Sequence, residues 1–136
     1  MTYATQQDLI DRFTEEELVQ LTDNTASGEI DPAPVATALA DADAEIEAAL
    51  VGRYALPMAP VPELLTRIAC DLARESLYAD QPTDVVKDRA KRGRELLLQI
   101  ARGAMRLGAD AAPAEDSSQG LVEIVSGRTK SPFTGQ

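Results

Sequence analysis

The sequence predicts a mainly all-α fold, a small bundle of two short helices followed by three longer ones. Aromatic residues make up only 4% of the 136 residues and Trp is absent, so the core must come from Leu, Ile, Val and Ala. Apolar residues recur at spacings of three and four along three long segments, which is the period of one face of a helix. Capping residues and prolines stand at the ends of these segments. The length is that of about one domain.

Two short helices are predicted at the start of the chain, near residues 6–12 and 15–22. Each is preceded by a threonine with an acidic residue three positions later, the spacing of a capping box. These pairs are Thr5 with Asp8 and Thr14 with Glu17. The residues expected to be buried are Leu9, Ile10, Phe13, Leu18 and Leu21. A loop rich in turn-forming residues, "TDNTASGEIDP", follows.

The first long helix is predicted near 33–51. Asp31 suits its N-terminal cap, and Pro32 is tolerated in a first turn, where its missing N–H would have had no partner. Gly52 is expected to end the helix. Its apolar stripe is Val35, Leu39, Ala42, Ile46 and Ala49.

The other two long helices are predicted near 62–79 and 84–106. Pro62 opens the former, and Thr83 or Asp84 caps the latter. The stripe of the helix near 62–79 is Leu65, Ile68, Ala69, Leu72, Ser76 and Leu77. The stripe of the last helix is Val86, Ala90, Gly93, Leu97, Ile100 and Ala104. Glycine within this stripe allows either close approach by another helix or a kink.

The chain divides into a helical domain over 1–106 and a linker with an extended tail over 107–136. The stretch "GADAAPAEDSSQG" has the composition of a linker. "LVEIV", residues 121–125, is expected to form one short strand at most, and to order on a neighbour rather than in the free subunit.

Charge is distributed unevenly along the chain. Residues 1–51 carry twelve acidic side chains and one basic one, residues 52–106 carry seven and ten, and residues 107–136 carry four and two. The formal net charge of −10 argues against a free-standing binder of duplex DNA. Charged faces of this kind are either solvated or suited to head-to-tail contact between copies.

The residue types needed for most catalysis are missing. There is no histidine, which removes the commonest general base and transition-metal ligand. Cys70 is the only cysteine and is expected to be a buried small residue. The acidic run "DADAEIE", from Asp41 to Glu47, has no calcium-type loop around it. We therefore expect no enzymatic activity, no catalytic or metal-binding residues and no cofactor.

The stretch "GRYALPMAPVPELL", residues 52–65, is expected to be a rigid connector between two helices. Its three prolines force extended backbone before them and forbid helix continuation. Rigid connectors present side chains at low entropic cost, so the candidates for contacting a partner are Arg53, Tyr54, Leu56 and Met58.

A second candidate surface is the basic run "KDRAKRGR", residues 87–94. Its predicted partner-binding residues are Lys91, Arg92 and Arg94. The alternative to a structural role is a small helical regulatory or nucleic-acid-binding module that uses this basic face. The run lacks the aromatic residues that stack on bases in many such proteins.

Two long stretches resemble a known family. They are "YATQQDLIDRFTEEELVQLTD" and "ALADADAEIEAALVGRYALPMAPVPELLTRIACDLARESLY". The chain resembles, over about residues 3–106, the Mu-like phage and prophage head–tail connector (adaptor) proteins, a domain of unknown function. No catalytic residues carry over from that family.

The resemblance implies a structural virion subunit that assembles as a ring between portal and tail. Its implied partners are other copies of itself, the portal and tail-completion proteins, with DNA passing through the ring without specific binding. The ring is expected when the protein is assembled, whereas in isolation the protein can be a monomer. There is no apolar run of about 18 residues and no signal-peptide pattern, so we expect the host cytoplasm during assembly and then the virion.

Overall fold

Five helices lie between residues 6 and 101 in the computed structural model, which describes residues 2–108 of the chain. They are α1 (Gln6–Phe13), α2 (Glu15–Thr22), α3 (Pro32–Leu50), α4 (Glu63–Tyr78) and α5 (Asp84–Ala101). The prediction of a mainly all-α bundle with two short and three longer helices is confirmed. Apart from residues 107 and 108, the predicted tail lies outside the described residues, as does its strand at 121–125.

Helix α4 is the central element and packs against each of the other four helices. Seven of its residues are buried, among them the consecutive run from Ile68 to Ala73. Burial on nearly all sides explains why α4 contributes more to the core than a surface helix with one apolar stripe would. Helices α3 and α5 also contact one another, while α1 and α2 close the bundle against α3 and α4.

The predicted helix starts are present in the structure. Thr5 and Asp8 form a reciprocal capping box at α1, and Asp31 accepts a backbone N–H at the start of α3. The Thr14 side chain caps α2 by accepting the Glu17 N–H. The Glu17 side chain is engaged elsewhere, in an ion pair with an arginine of α4.

The loop between α2 and α3 is organised by one side chain. The Asp23 carboxylate accepts backbone N–H groups from Thr25, Ser27 and Gly28 at 3.2, 3.1 and 2.8 Å. These bonds, led by the one from Gly28, lower the pKa of Asp23. The polar turn residues of this segment therefore satisfy its backbone donors without a strand or helix.

The predicted apolar stripes of α4 and α5 each include a residue that is exposed in the structure. Ser76, near the end of α4, is exposed, and Ala104 lies past the end of α5 and is also exposed. The prediction that α5 continues to 106 is wrong, because the backbone leaves the helix after Ala101 and Gly103 takes a positive φ of 79°. Small apolar residues continue the period there without continuing the helix.

Leu107 marks the end of the packed chain within the described region. It is 8% exposed, and its backbone N–H bonds to a tyrosine of the connector. None of the helices in the described part of the chain combines the length and hydropathy that a bilayer span needs.

Candidate interaction surfaces

The connector between α3 and α4 begins with a tight turn. Gly52 has a φ of 89°, which favours glycine, and the next two backbone N–H groups both bond to the Leu50 carbonyl. The Leu56–Pro57 and Ala59–Pro60 peptide bonds are cis. The predicted role of Gly52 as the end of α3 is confirmed.

Arg53 and Tyr54 bond to the chain that follows α5. The Arg53 Nε donates to the Ala101 carbonyl at 2.9 Å, and the Tyr54 hydroxyl accepts the Leu107 N–H at 3.0 Å. A Cβ built on Gly103 would lie 2.8 Å from Arg53 Nη1, so the guanidinium rests directly against that glycine. These contacts give both side chains a role within the subunit, at the C-terminus of α5.

The two apolar candidates of the connector face the protein's own core. Met58 is 5% exposed, and Leu56 is partly buried and packed against the core. This placement gives no support to a surface contact by Met58. Sequence reasoning could not separate inside from outside here, because a stretch interrupted by prolines has no helical or strand period.

The basic run on α5 divides into engaged and unengaged side chains. Arg94 donates to Glu45 at 2.6 Å and to Glu75 at 2.9 Å, which ties α5 to both α3 and α4. These hydrogen bonds, led by the one to Glu45, raise the pKa of Arg94. Lys91 and Arg92 are exposed and have no ion pair or hydrogen bond with any residue of 2–108.

The acidic run on α3 is mostly engaged within the subunit. Asp43 accepts the Tyr3 backbone N–H at 2.9 Å, and Glu47 lies 3.4 Å from the Tyr3 hydroxyl. Glu45 pairs with Arg94. Asp41 is exposed and has no such contact with residues 2–108. No group of three or more His, Cys, Asp or Glu side chains in the described region is arranged to hold a metal ion.

Ion pairs connect the acidic first part of the chain to the basic middle part. Arg74 of α4 forms a two-pronged pair with Glu17 of α2 at 2.7 and 3.0 Å, and its guanidinium lies 4.1 Å from the centre of the Phe13 ring. Arg12 pairs with Glu63. The Arg74–Glu17 pair therefore neutralises part of the charge asymmetry within one chain.

Asp71 is a buried carboxylate that the sequence analysis did not single out. Its side chain is 7% exposed, and Arg89 Nε lies 3.5 Å away, beyond a good hydrogen bond. Burial raises the pKa of Asp71, although Arg89 and Arg67 act in the opposite direction. The signal that could have found it is an acidic residue within the apolar run "IACDLA" of a central helix.

Asp71 forms part of a concave site between two helices, which we call the α4–α5 groove. Its volume is about 150 Å³. Its charged lining is Arg67, Asp71, Asp88, Arg89 and Arg92, and its apolar lining includes Ile68 and Leu96. The neighbouring Cys70 is fully buried, as expected, and burial raises the pKa of its thiol to about 12.

Over the described residues, the fold and these surfaces define a small all-α protein with charged helix faces and a groove between α4 and α5. A family model described as "Bacteriophage Mu, Gp36" matches residues 3–126. The chain belongs to this family of phage proteins.

Two relatives support the same assignment. The chain is 36% identical over 128 residues to "Gene product J" of Escherichia phage Mu, covering 93% of this chain and 91% of the relative. It is also 36% identical over 106 residues to "Mu-like prophage FluMu protein gp36" of Haemophilus influenzae, covering 78% of this chain and 75% of the relative. The resemblance to Mu-like phage and prophage proteins is confirmed at the level of the family.

Proposed function

We propose that this protein is a structural virion subunit, a head–tail connector that assembles as a ring between the portal and the tail. The observation that carries the proposal is the family match over residues 3–126. The stretches around "GRYALP" and "RIACDLAR" also resemble connector proteins of Mu-like phages.

The positions of the exposed charged side chains that form no ion pair are compatible with head-to-tail contact between copies. Asp41 is exposed on α3, whereas Lys91 and Arg92 are exposed on α5, and none of the three pairs with residues 2–108. Surfaces of opposite charge on different helices suit a heterologous contact, in which one copy's acidic face meets the next copy's basic face. Such matching sets register and encounter rate more than affinity.

Contact rather than catalysis is the proposed mode of action. The sequence has no histidine, and the single thiol is buried with its pKa raised to about 12, so little thiolate forms at neutral pH. The basic face at 87–94 gives little support to the nucleic-acid alternative. Arg94 is engaged by two carboxylates, and Asp88 and Glu95 are exposed on the same helix.

Inactivation of the gene in an inducible prophage tests the proposal. Induced cells should accumulate heads and tails that are not joined, as seen by negative-stain electron microscopy, and the wild-type gene supplied in trans should restore joined particles. A normal yield of joined, infectious particles without the gene would refute the connector role.

A further inference from the structure

An open cleft lies between α2 and the loop that leads to α3, and we call it the α2 cleft. Its volume is about 550 Å³, and its lining is Glu15, Glu16, Val19, Gln20 and Gly28. Both glutamates are exposed and form no ion pair or hydrogen bond with residues 2–108. The loop side of the cleft is held in place, because the Gly28 N–H donates to the Asp23 carboxylate at 2.8 Å. The cleft is therefore a preformed hollow whose lining carries two unpaired negative charges.

The part of the chain that forms the cleft has no cation of its own. Residues 13–52 contain no lysine or arginine. Arginines of other helices pair with Glu17 and Glu45 in this range, and its other acidic side chains are mostly hydrogen-bonded within the subunit. The acidic side chains without a partner among residues 2–108 are Glu15, Glu16, Glu29 and Asp41. Two of these four line the cleft, so its complement is a basic side chain of another molecule.

The basic face of α5 lies away from the α2 cleft of the same subunit. Within the described residues, α5 packs against α3 and α4 but not against α1 or α2. Helices α3 and α4 contact all the other helices and therefore separate the cleft from α5. A pairing of the cleft with Lys91 and Arg92 is then a contact between two copies. Because the two surfaces lie on different sides of the subunit, this contact is head-to-tail.

The size and lining of the cleft fit two long basic side chains. A volume of about 550 Å³ holds roughly 18 water molecules at about 30 Å³ each, which is room for the ends of a lysine and an arginine. Val19 is partly buried and offers apolar surface to their aliphatic stems. The two glutamates match the two positive charges one for one.

We propose that the α2 cleft of one copy receives Lys91 and Arg92 of the next copy. The cationic ends then lie beside the two glutamates, and the aliphatic stems lie on Val19. This contact rests on the proposed connector function, because it joins neighbouring copies within the ring. It makes the α2 cleft, rather than Asp41 on α3, the acidic side of the interface.

Charge exchange in the complementation of the inactivated prophage gene tests the contact. The cleft variant is Glu15→Lys with Glu16→Lys, and the α5 variant is Lys91→Glu with Arg92→Glu. Each should lower the yield of joined particles at least about tenfold, because a ring repeats the same repulsion at every interface. All four substitutions together should restore the yield to within about threefold of the wild type, since the charges are again complementary.

The matched control adds Asp41→Lys and Asp80→Lys to the α5 variant, which gives the same net charge as the full exchange. Both positions are exposed and lie outside the cleft. This combination should not restore joining. Restoration by the control would overturn the proposal, and so would a full exchange that restores nothing. Circular dichroism of each variant establishes that the helices are retained.

Cross-linking in lysates of induced cells tests the contact without reversing any charge. Under mild oxidation, Glu16→Cys with Lys91→Cys should give a ladder of covalently linked copies, in which mass spectrometry identifies the link between positions 16 and 91. Ala36→Cys with Lys91→Cys, whose first position is exposed on α3, is the control and should give none. Native Cys70 is fully buried and stays reduced. Absence of the ladder would contradict the contact, and products that stop at a dimer would contradict its head-to-tail geometry.

The contact and the connector role can fail separately. If particles join normally without the gene, the connector role is wrong, while a ladder in the same lysates still supports the contact between copies. If joining requires the gene but neither the charge exchange nor the ladder succeeds, the connector role stands and the contact is wrong. A cleft variant that blocks joining, with no restoration and no ladder, would show that the cleft binds a different virion protein.

Discussion

At the scale of single residues, Asp71 carries a clear electrostatic cost. Its carboxylate is buried in the central helix, burial raises its pKa, and its ion pair with Arg89 is long at 3.5 Å. A carboxyl whose pKa is raised in the folded state stabilises the fold most below its unfolded pKa. That contribution is lost as pH rises through the folded pKa.

Asp71→Asn should therefore raise the melting temperature at pH 7. The side chain no longer has to be ionised in the core, and the gain should shrink as pH falls toward the ordinary pKa of an aspartate. Thermal unfolding followed by circular dichroism between pH 7 and 4.5 measures it. Asp88→Asn, which changes an exposed neighbour, is the control and should have little effect. A lower melting temperature for Asp71→Asn at pH 7 would mean that attraction to Arg89 outweighs burial.

Met58 is a second residue whose position changes how a variant must be interpreted. Since Met58 is 5% exposed, Met58→Ser should destabilise the isolated subunit by roughly 2–5 kcal/mol, through lost burial and the cavity left behind. Denaturant unfolding measures this cost. Leu56→Ser, at a partly buried position, should cost clearly less. Equal small costs would place Met58 at the surface and return it to the candidates for partner contact.

At the scale of elements, α4 organises the core, and Leu72 tests this. Leu72 is 2% exposed on the helix that contacts all the others. Leu72→Ala should lower the free energy of unfolding by about 2–5 kcal/mol. Val51→Ala is the matched control, because Val51 is 66% exposed and its truncation should change stability by less than about 0.5 kcal/mol. A change below half a kcal/mol for Leu72→Ala would show that the core is wrongly placed.

The helices were predictable because their signals are local. Threonine and aspartate caps, Gly52 and the period of the stripes each act within a few residues, and the structure has them where the sequence indicates. The end of α5 was predicted too late, although Gly103 gives a local signal of the same kind as Gly52. The contact that sequence could not show is the one from Arg53, 48 positions away, which donates to the Ala101 carbonyl.

The interaction surfaces were predictable only in part, for a related physical reason. A run of like charges in sequence does not show which of its members find partners across the fold. Arg94 reaches two other helices, whereas Lys91, three positions earlier, has no partner among residues 2–108. The α4–α5 groove is lined by side chains of two helices. Its buried carboxylate, Asp71, lies in an apolar run that periodicity alone assigns to the core.

At the scale of the whole molecule, we propose that folding and assembly depend on different charged residues. The ion pairs Arg74–Glu17 and Arg94–Glu45 hold the acidic and basic parts of the chain together within one subunit. Lys91 and Arg92 are exposed and form no ion pair with residues 2–108, so they are the side chains proposed to contact another copy. The two groups of residues can therefore be changed separately.

Arg94→Glu should lower stability, whereas the double variant Lys91→Glu with Arg92→Glu should leave stability nearly unchanged and impair assembly. The former places a third carboxylate beside Glu45 and Glu75 and should lower the free energy of unfolding by roughly 1 kcal/mol, less at high salt, because the pairs are partly exposed. The Lys91→Glu, Arg92→Glu variant should leave the melting temperature within a few degrees of the wild type. In complementation of the inactivated prophage gene, this variant should nevertheless reduce the yield of joined particles, since the proposed contact loses its basic side. Normal joining by the Lys91→Glu, Arg92→Glu variant would place the contact on another surface. A melting temperature lowered as far as that of Arg94→Glu would mean that these lysine and arginine side chains also stabilise the fold.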